Sequence, residues 1–254
     1  MTTTQNLTGK VAFVTGGTRG IGLETVRGLA HLGAVVVIGA RDAQKGIEVA
    51  QQFKQEGFNV ESIKIDVNLH EDNVAAYDYF NENFGKLDIL INNAGVLLDQ
   101  ENVSVEVINR TSTLPLKVLH DTFNANFFAQ VDLTQLLLPL IRKSDAGRIV
   151  NLSSILGSLS LQADPNSPIY SAKTFAYNAS KAALNAFTIH LAAELEGTPI
   201  KVNSIHPGWV RTRLGGGAAD IDEVEGSRTS ILAATLPADG PTGSFFFLEN
   251  TLPW

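Results

Sequence analysis

The sequence predicts a doubly wound α/β fold: a seven-stranded, mainly parallel sheet with helices on both faces. Three observations carry that expectation. Short apolar runs alternate with amphipathic stretches along the whole chain, the pattern of right-handed βαβ units. Several runs are apolar throughout, such as Val35-Val36-Val37-Ile38, as strands covered on both faces are. The first run leads directly into a glycine-rich turn and a helical pattern, Val11-Ala12-Phe13-Val14-Thr15-Gly16-Gly17-Thr18-Arg19-Gly20-Ile21-Gly22.

Taken in order, the expected strands are Val11–Thr15, Ala34–Ile38, Val60–Ile65, Leu87–Ile91, Arg148–Leu152, Lys201–Ile205 and Ser244–Leu248. Each is a five- or six-residue segment rich in apolar residues. Between them, apolar residues recur at helical spacing in Ile21–Leu32, Ala43–Glu56, Asp72–Phe84 and Thr122–Ile141. Two stretches read as long loops, Leu97–Leu114 and Leu161–Pro168. A third, Arg213–Asp222 with Gly215-Gly216-Gly217, reads as mobile, and 209–225 as a candidate substrate lid. Composition does not shift along the chain and nothing repeats, so residues 1–254 are expected to form one domain.

Composition excludes several functions. The net charge of −7 and the lack of a basic tract argue against a nucleic-acid surface. With no cysteine there is no disulfide, no zinc–thiolate site and no cysteine nucleophile. The five histidines are scattered without metal-ligand spacing, so no metal is expected and His206 is read as structural. The stretch Met1–Asn6 lacks an apolar h-region and no apolar run approaches a membrane span. A cytoplasmic protein without membrane contact is expected.

The turn Gly16-x-x-x-Gly20-x-Gly22 offers a diphosphate site. Glycine lets the backbone approach a ligand, and the following helix aims its free N–H groups and positive dipole end at the same point. Where an acid about 20 residues past the glycines would hold the ribose 2′-hydroxyl of NAD, this chain has Ala40-Arg41. Arg19 adds a second cation inside the turn. Two guanidiniums suit a 2′-phosphate, so NADP(H) is expected over NAD(H). Against this stands the reading of both arginines as merely solvated, with Asp42 neutralising Arg41. Asp66, after the third strand, is placed either to accept from an adenine amino group or to cap a helix. Asn92-Asn93-Ala94-Gly95 closes the fourth strand with small residues that would let a cofactor lie on the backbone, or forms a plain turn.

Tyr177 and Lys181 share one helix face. A cation about 4 Å from a phenol, at an effective dielectric of about 20, is worth about 4 kcal/mol, or about three pKa units. That would bring the phenol to roughly 7, where proton transfer is efficient. Tyr170 has Thr174 rather than a lysine four residues on. Ser153 and Ser154 end the fifth strand, where open α/β sheets place their sites, and serve there as substrate hydrogen-bond donors or as loop caps. Asn126, mid-helix, either carries a water-mediated proton path or is satisfied by neighbouring backbone.

Jointly these residues resemble the short-chain dehydrogenase/reductase family. The matching motifs are Thr15-Gly16-x-x-x-Gly20-x-Gly22, Asn92-Asn93-Ala94-Gly95, Asn126, Ser154, Tyr177-x-x-x-Lys181 and Pro207-Gly208-Trp209-Val210-Arg211-Thr212. They run in the family's order over nearly the whole chain, with the glycine spacing of its compact branch. Gly39-Ala40-Arg41-Asp42, Asn126-Phe127-Phe128, Leu137-Leu138-Pro139-Leu140-Ile141, Asn151-Leu152-Ser153-Ser154-Ile155, Thr235-Leu236-Pro237-x-x-Gly240-Pro241-x-Gly243 and Trp254 are similar to its NADPH-dependent carbonyl reductases.

The resemblance implies a Rossmann-type sheet and a catalytic set of Asn126, Ser154, Tyr177 and Lys181. Tyr177 would be the general acid and Lys181 would lower its pKa and hold the nicotinamide ribose. Ser154 would position the carbonyl oxygen, and Asn126 would hold a water linking Lys181 to solvent. Cofactor contacts would come from Thr15, Gly16, Thr18, Arg19, Gly20, Ile21, Gly22, Arg41, Asp66, Val67, Asn93, Ala94, Gly95, Pro207, Gly208, Val210 and Thr212, beside Tyr177 and Lys181.

The interval from Ser154 to Tyr177 is longer than the family's usual one, as is the loop after Gly95. Both would rim the substrate mouth, and the first could block the helix pairing of family tetramers. Monomer, dimer and tetramer therefore stay open. The expected activity is NADPH-dependent reduction of ketones or aldehydes, reversible to alcohol oxidation, with a small-molecule carbonyl as partner. Val96, Leu97, Ile155, Leu156, Tyr170 and Trp209 are candidate walls of an apolar pocket. The competing readings are a non-catalytic NADP(H)-binding regulatory protein and a purely structural α/β protein. Carbonyl-dependent NADPH oxidation would exclude the first, and a rise in melting temperature with NADPH the second.

Overall fold

Eight strands form one sheet in the order β3-β2-β1-β4-β5-β6-β7-β8. The computed structural model describes residues 6–100 and 110–254. Met1–Asn6, except its last residue, and the middle of the expected loop Leu97–Leu114 lie outside them.

The chain runs β1 (Val11–Thr15), α1 (Gly20–His31), β2 (Val35–Ala40), α2 (Ala43–Gln55), β3 (Val60–Lys64), α3 (His70–Asn83) and β4 (Ile89–Asn92). It continues through α4 (Leu116–Phe123), a π-helical turn (Asn124–Phe128), α5 (Ala129–Ile141) and β5 (Arg148–Leu152). A 3-10 turn (Ile155–Gly157), α6 (Leu159–Ala163), α7 (Phe175–Glu194), β6 (Lys201–Ile205), α8 (Glu223–Ala234), β7 (Ser244–Phe247) and β8 (Asn250–Thr251) complete it.

Seven strands lie where the apolar runs predict them, in parallel register from β3 to β7. The sheet has eight strands rather than seven because the chain turns back after β7. Leu248 takes a left-handed φ of 51° at that turn, and Asn250–Thr251 pairs antiparallel with β7. Two residues carry no periodicity that a sequence pattern could show.

Two further expectations are corrected. The helix expected over Thr122–Ile141 starts at Leu116 and widens into a π turn at Asn124–Phe128. The loop expected at Leu161–Pro168 begins inside α6, which Ser158 caps by accepting from Leu161 N–H at 3.3 Å. The stretch Arg213–Asp222 has no long element but is tied down. Val210 pairs with Ile221, Trp209 Nε1 donates to Gly215 O at 2.8 Å, and Arg211 donates to Ala219 O and Asp220 O.

Alternate side chains of β1 point to opposite faces. Val14 joins Val26, Leu29, Ile38, Phe53 and Ile91 in one core. Phe13 joins Phe80, Leu90, Leu133, Leu137 and Leu191 in the other. Each fully buried side chain of this size contributes about 1.5–3 kcal/mol, and the two layers hold the sheet rigid on both sides. After β3 the winding reverses, because β4 pairs with the far edge of β1. The carboxyl ends of β1 and β4 therefore open onto a crevice at the reversal point, where such sheets bind ligands. Among the described residues no helix is long and apolar enough to cross a membrane.

Candidate active site

The glycine turn and the Asn93-Ala94 turn meet in that crevice. Thr15 Oγ1 accepts from the N–H groups of Asn93 and Ala94, both at 3.0 Å. In return Asn93 Nδ2 donates to Thr15 O at 2.7 Å and Gly16 O at 3.2 Å. The fit is tight enough to require glycine at position 22, where a Cβ would stand 2.5 Å from Gly16 O and 2.6 Å from Asn93 Nδ2. Gly16 and Gly20 turn the chain through left-handed φ values of 66° and 58°.

Helix α1 then starts with no side-chain cap bond and no acid in its first turn, so its positive end is open to an anion. Thr212 Cγ2 would lie 3.6 Å from a Cβ on Gly20, which brings Pro207–Thr212 alongside the turn. Buried Val210 pins that segment. These residues fit a diphosphate: small, open, N–H-rich and free of carboxylates at the turn.

At the end of β2 there is no acid. Arg41 is exposed, as is Arg19, and among the described residues neither forms a salt bridge. Asp42, which could have neutralised Arg41, instead caps α2 by accepting from Lys45 N–H at 3.0 Å. Asp66 is not a helix cap, since α3 begins at His70 behind Leu69. Its Oδ1 accepts from Asn68 N and Nδ2 at 3.1 and 2.8 Å, while Val67 is buried beneath.

Tyr177 and Lys181 lie one turn apart on α7 and are 6% and 3% exposed. The Ser154 hydroxyl lies close enough to the Tyr177 phenol to lower its pKa. Ser154 also accepts from Leu156 N–H at 3.2 Å, which fixes its rotamer. Ser153, its neighbour, turns its hydroxyl to Lys181 O instead. Lys181 Nζ donates to Leu152 O at 2.7 Å and lies 5.7 Å from the centre of the Tyr177 ring.

Asn126 sits fully buried in the π turn. Its Oδ1 accepts from Val96 N–H at 2.8 Å, and its Nδ2 donates to Val96 O at 2.9 Å and Ser180 Oγ at 3.0 Å. Asn124, two residues earlier, is exposed and bonds Asn68. A Cβ on Gly95 would be 3.2 Å from Asn126 Oδ1 and 3.6 Å from Lys181 Nζ. Glycine at 95 thus leaves the space between amide and ammonium open.

The phenol is not brought to neutrality, contrary to the expectation from helical spacing. Burial, not the lysine, dominates: it pushes Tyr177 up to about 12, against a smaller lowering by the Ser154 hydroxyl. The same burial pushes Lys181 down to about 8. The ammonium is anchored on Leu152 O. His206, at the end of β6, packs on Phe247 at 5.4 Å and is held neutral to about pH 4 by burial. Among the described residues no cluster of His, Asp or Glu could hold a metal.

The candidate wall residues divide. Val96, Leu97 and Ile155 are half-buried and Leu156 is buried next to Ser154. Trp209 remains 39% exposed. Tyr170 lies under Lys173, whose Nζ is 4.3 Å from the ring centre. Gln130 was not foreseen: its Nε2 donates to Ala94 O at 2.7 Å. It lies one helical turn after Asn126, and that spacing was the available signal.

A family model described as short chain dehydrogenase matches residues 10–220. The chain belongs to this family of oxidoreductases, whose members bind a nicotinamide cofactor. It is 30% identical to Carbonyl reductase (NADPH) 1 of Homo sapiens, over 96% of this chain and 98% of that one. It is 29% identical to (+)-neomenthol dehydrogenase of Capsicum annuum, over 95% and 96% respectively. The structure of NADPH-bound carbonyl reductase from chicken fatty liver superposes with a TM-score of 0.82 at 26% identity, covering 97% of this chain and 99% of that one. Salutaridine reductase of Papaver somniferum gives 0.79 at 28% identity, covering 94% and 99%.

The join at Thr15 is testable. Thr15→Val takes the acceptor from the Ala94 N–H, while the Asn93 N–H keeps Ile91 O at 3.0 Å, and should lower the unfolding free energy by about 1 kcal/mol, read as a fall in the urea midpoint. Thr15→Ser keeps the hydroxyl and should recover most of that loss. Equal midpoints for wild type and Thr15→Val would contradict the bonding described.

Proposed function

We propose that the chain is an NADPH-dependent reductase of ketones or aldehydes, reversible to alcohol oxidation. The observation that carries this reading is the buried Tyr177 phenol with the Ser154 hydroxyl and the Lys181 ammonium close by, next to an anion-ready glycine turn.

The turn Gly16–Gly22 and the α1 N-terminus would hold the diphosphate, Arg19 and Arg41 the 2′-phosphate, and Lys181, Asn93 and Thr212 the nicotinamide half. When bound, the reduced nicotinamide supplies the hydride for the carbonyl carbon. Ser154 donates a hydrogen bond to the carbonyl oxygen, and Tyr177 gives that oxygen its phenolic proton. A phenol held near 12 by burial is fully protonated at neutral pH, which is the state an acid needs. Once the proton leaves, the Lys181 ammonium stabilises the phenolate across a low-dielectric gap. Asn126 keeps the Gly95-Val96 backbone in place beside that ammonium. The apolar side chains of Val96, Leu97, Ile155 and Leu156 favour a largely hydrocarbon substrate around the carbonyl.

Two experiments test the reading. With a panel of ketones and aldehydes, Tyr177→Phe should cut NADPH oxidation by about 10²–10⁴-fold while NADPH binding, read by nucleotide fluorescence, stays close to wild type. Full activity would remove Tyr177 from the chemistry. Arg41→Asp should lower the NADPH-to-NADH ratio of kcat/KM by at least about tenfold, the worth of one charge-assisted hydrogen bond. An unchanged ratio would remove Arg41 from the phosphate site.

A further inference from the structure

Helix α7 carries Tyr177 and Lys181, yet it does not cap itself. Thr174 stands at the cap position, and its side chain makes no bond to the first-turn backbone. Its hydroxyl donates to Asn178 Oδ1 at 2.7 Å instead. The N–H groups it leaves free are met from a distant segment. Asp99 Oδ2 accepts from Ala176 N–H at 2.8 Å, and Asp99 Oδ1 accepts from Tyr177 N–H at 2.9 Å. Asp99 is 1% exposed. One carboxylate therefore does across the fold what an N-cap side chain does locally, and its charge faces the positive helix end.

The segment that delivers Asp99 is the one that lines the site. Four residues earlier, Gly95 lies beside Lys181 Nζ. Val96 is clamped on both backbone atoms by Asn126. Asp99 then grips the amide of Tyr177 itself. The strand-end turn, the π turn and the first turn of α7 are thus joined through one short stretch of chain.

We propose that Asp99 is a positioning residue for the acid–base tyrosine, an inference that rests on the role given to Tyr177 above. Tyr177 is only the third residue of α7, in the turn that frays when a helix lacks a cap. Holding its own N–H fixes where its phenol meets Ser154. The second oxygen matters: an asparagine would offer one acceptor and turn an N–H₂ group toward the other amide.

The test compares the full chain as wild type, Asp99→Asn, Asp99→Ala and Tyr177→Phe. Sites able to bind NADPH are counted by fluorescence titration, and kcat is expressed per site. Amide exchange is followed over residues 175–178. Asp99→Ala should bind NADPH with near-wild-type affinity and lose about 10²-fold in kcat per site, the cost of a displacement of about 1 Å. Asp99→Asn should lose less, and exchange should quicken at the start of α7 in both. A drop in Tm and in site count with kcat per site unchanged would overturn the proposal. If Asp99→Ala does not fold, Asp99→Asn carries the same comparison. If wild type binds NADPH but reduces no carbonyl, the role of Tyr177 falls. The clamp is then judged on exchange alone, and unchanged exchange overturns it.

Discussion

Thr15 and Asn93 exchange hydrogen bonds across the carboxyl ends of β1 and β4, where the winding of the sheet reverses. The rest of the site depends on that join. It sets how closely the glycine turn can lie against the neighbouring turn, and so why position 22 has no room for a side chain. It fixes the start of Ala94-Gly95-Val96, on which Gln130, Asn126 and the surroundings of Lys181 converge. The glycine turn and the surroundings of Lys181 are registered to each other by side-chain-to-backbone bonds.

The second constraint is electrostatic. A buried phenol and a buried ammonium respond to the same low dielectric in opposite directions, the phenol upward and the ammonium downward. At neutral pH this leaves an acid that keeps its proton and a base that keeps its charge only narrowly. Lys181 titrates at about 8 in the folded protein against 10.5 ordinarily. The unfolded chain therefore binds more protons between those values. Folding bears the cost of the buried cation below about pH 8, and that cost fades as pH rises toward 10.5. A site that tolerates this penalty is organised around charge, as catalytic sites are.

How much was legible follows from range. Val35–Ile38 could only be a strand covered on both faces, and the glycine spacing after Val11–Thr15 placed the first turn without any tertiary information. Tyr177 and Lys181 do share one buried helix face, as their spacing implies. Local sequence patterns are silent where a short signal or a long-range contact decides. Asn250–Thr251 is too brief to show a period. The π turn at Asn124–Phe128 has the same composition as the α-helix around it. Helical spacing brings Lys181 to the Tyr177 face, but it does not show that burial outweighs the lysine at the phenol. Asp99 capping α7 and Gln130 holding Ala94 are contacts between segments far apart in the chain, and no local pattern announces them.

The protonation state of Tyr177 is open to direct measurement. An ultraviolet difference titration of the cofactor-free protein, wild type against Tyr177→Phe, isolates the absorbance of that one phenolate. Burial as described here leaves no Tyr177 phenolate signal up to about pH 10, with its midpoint near 12. A phenolate that appears with a midpoint near neutrality would show that Lys181, and not burial, governs the acid, and would contradict the electrostatics on which the proposed chemistry rests.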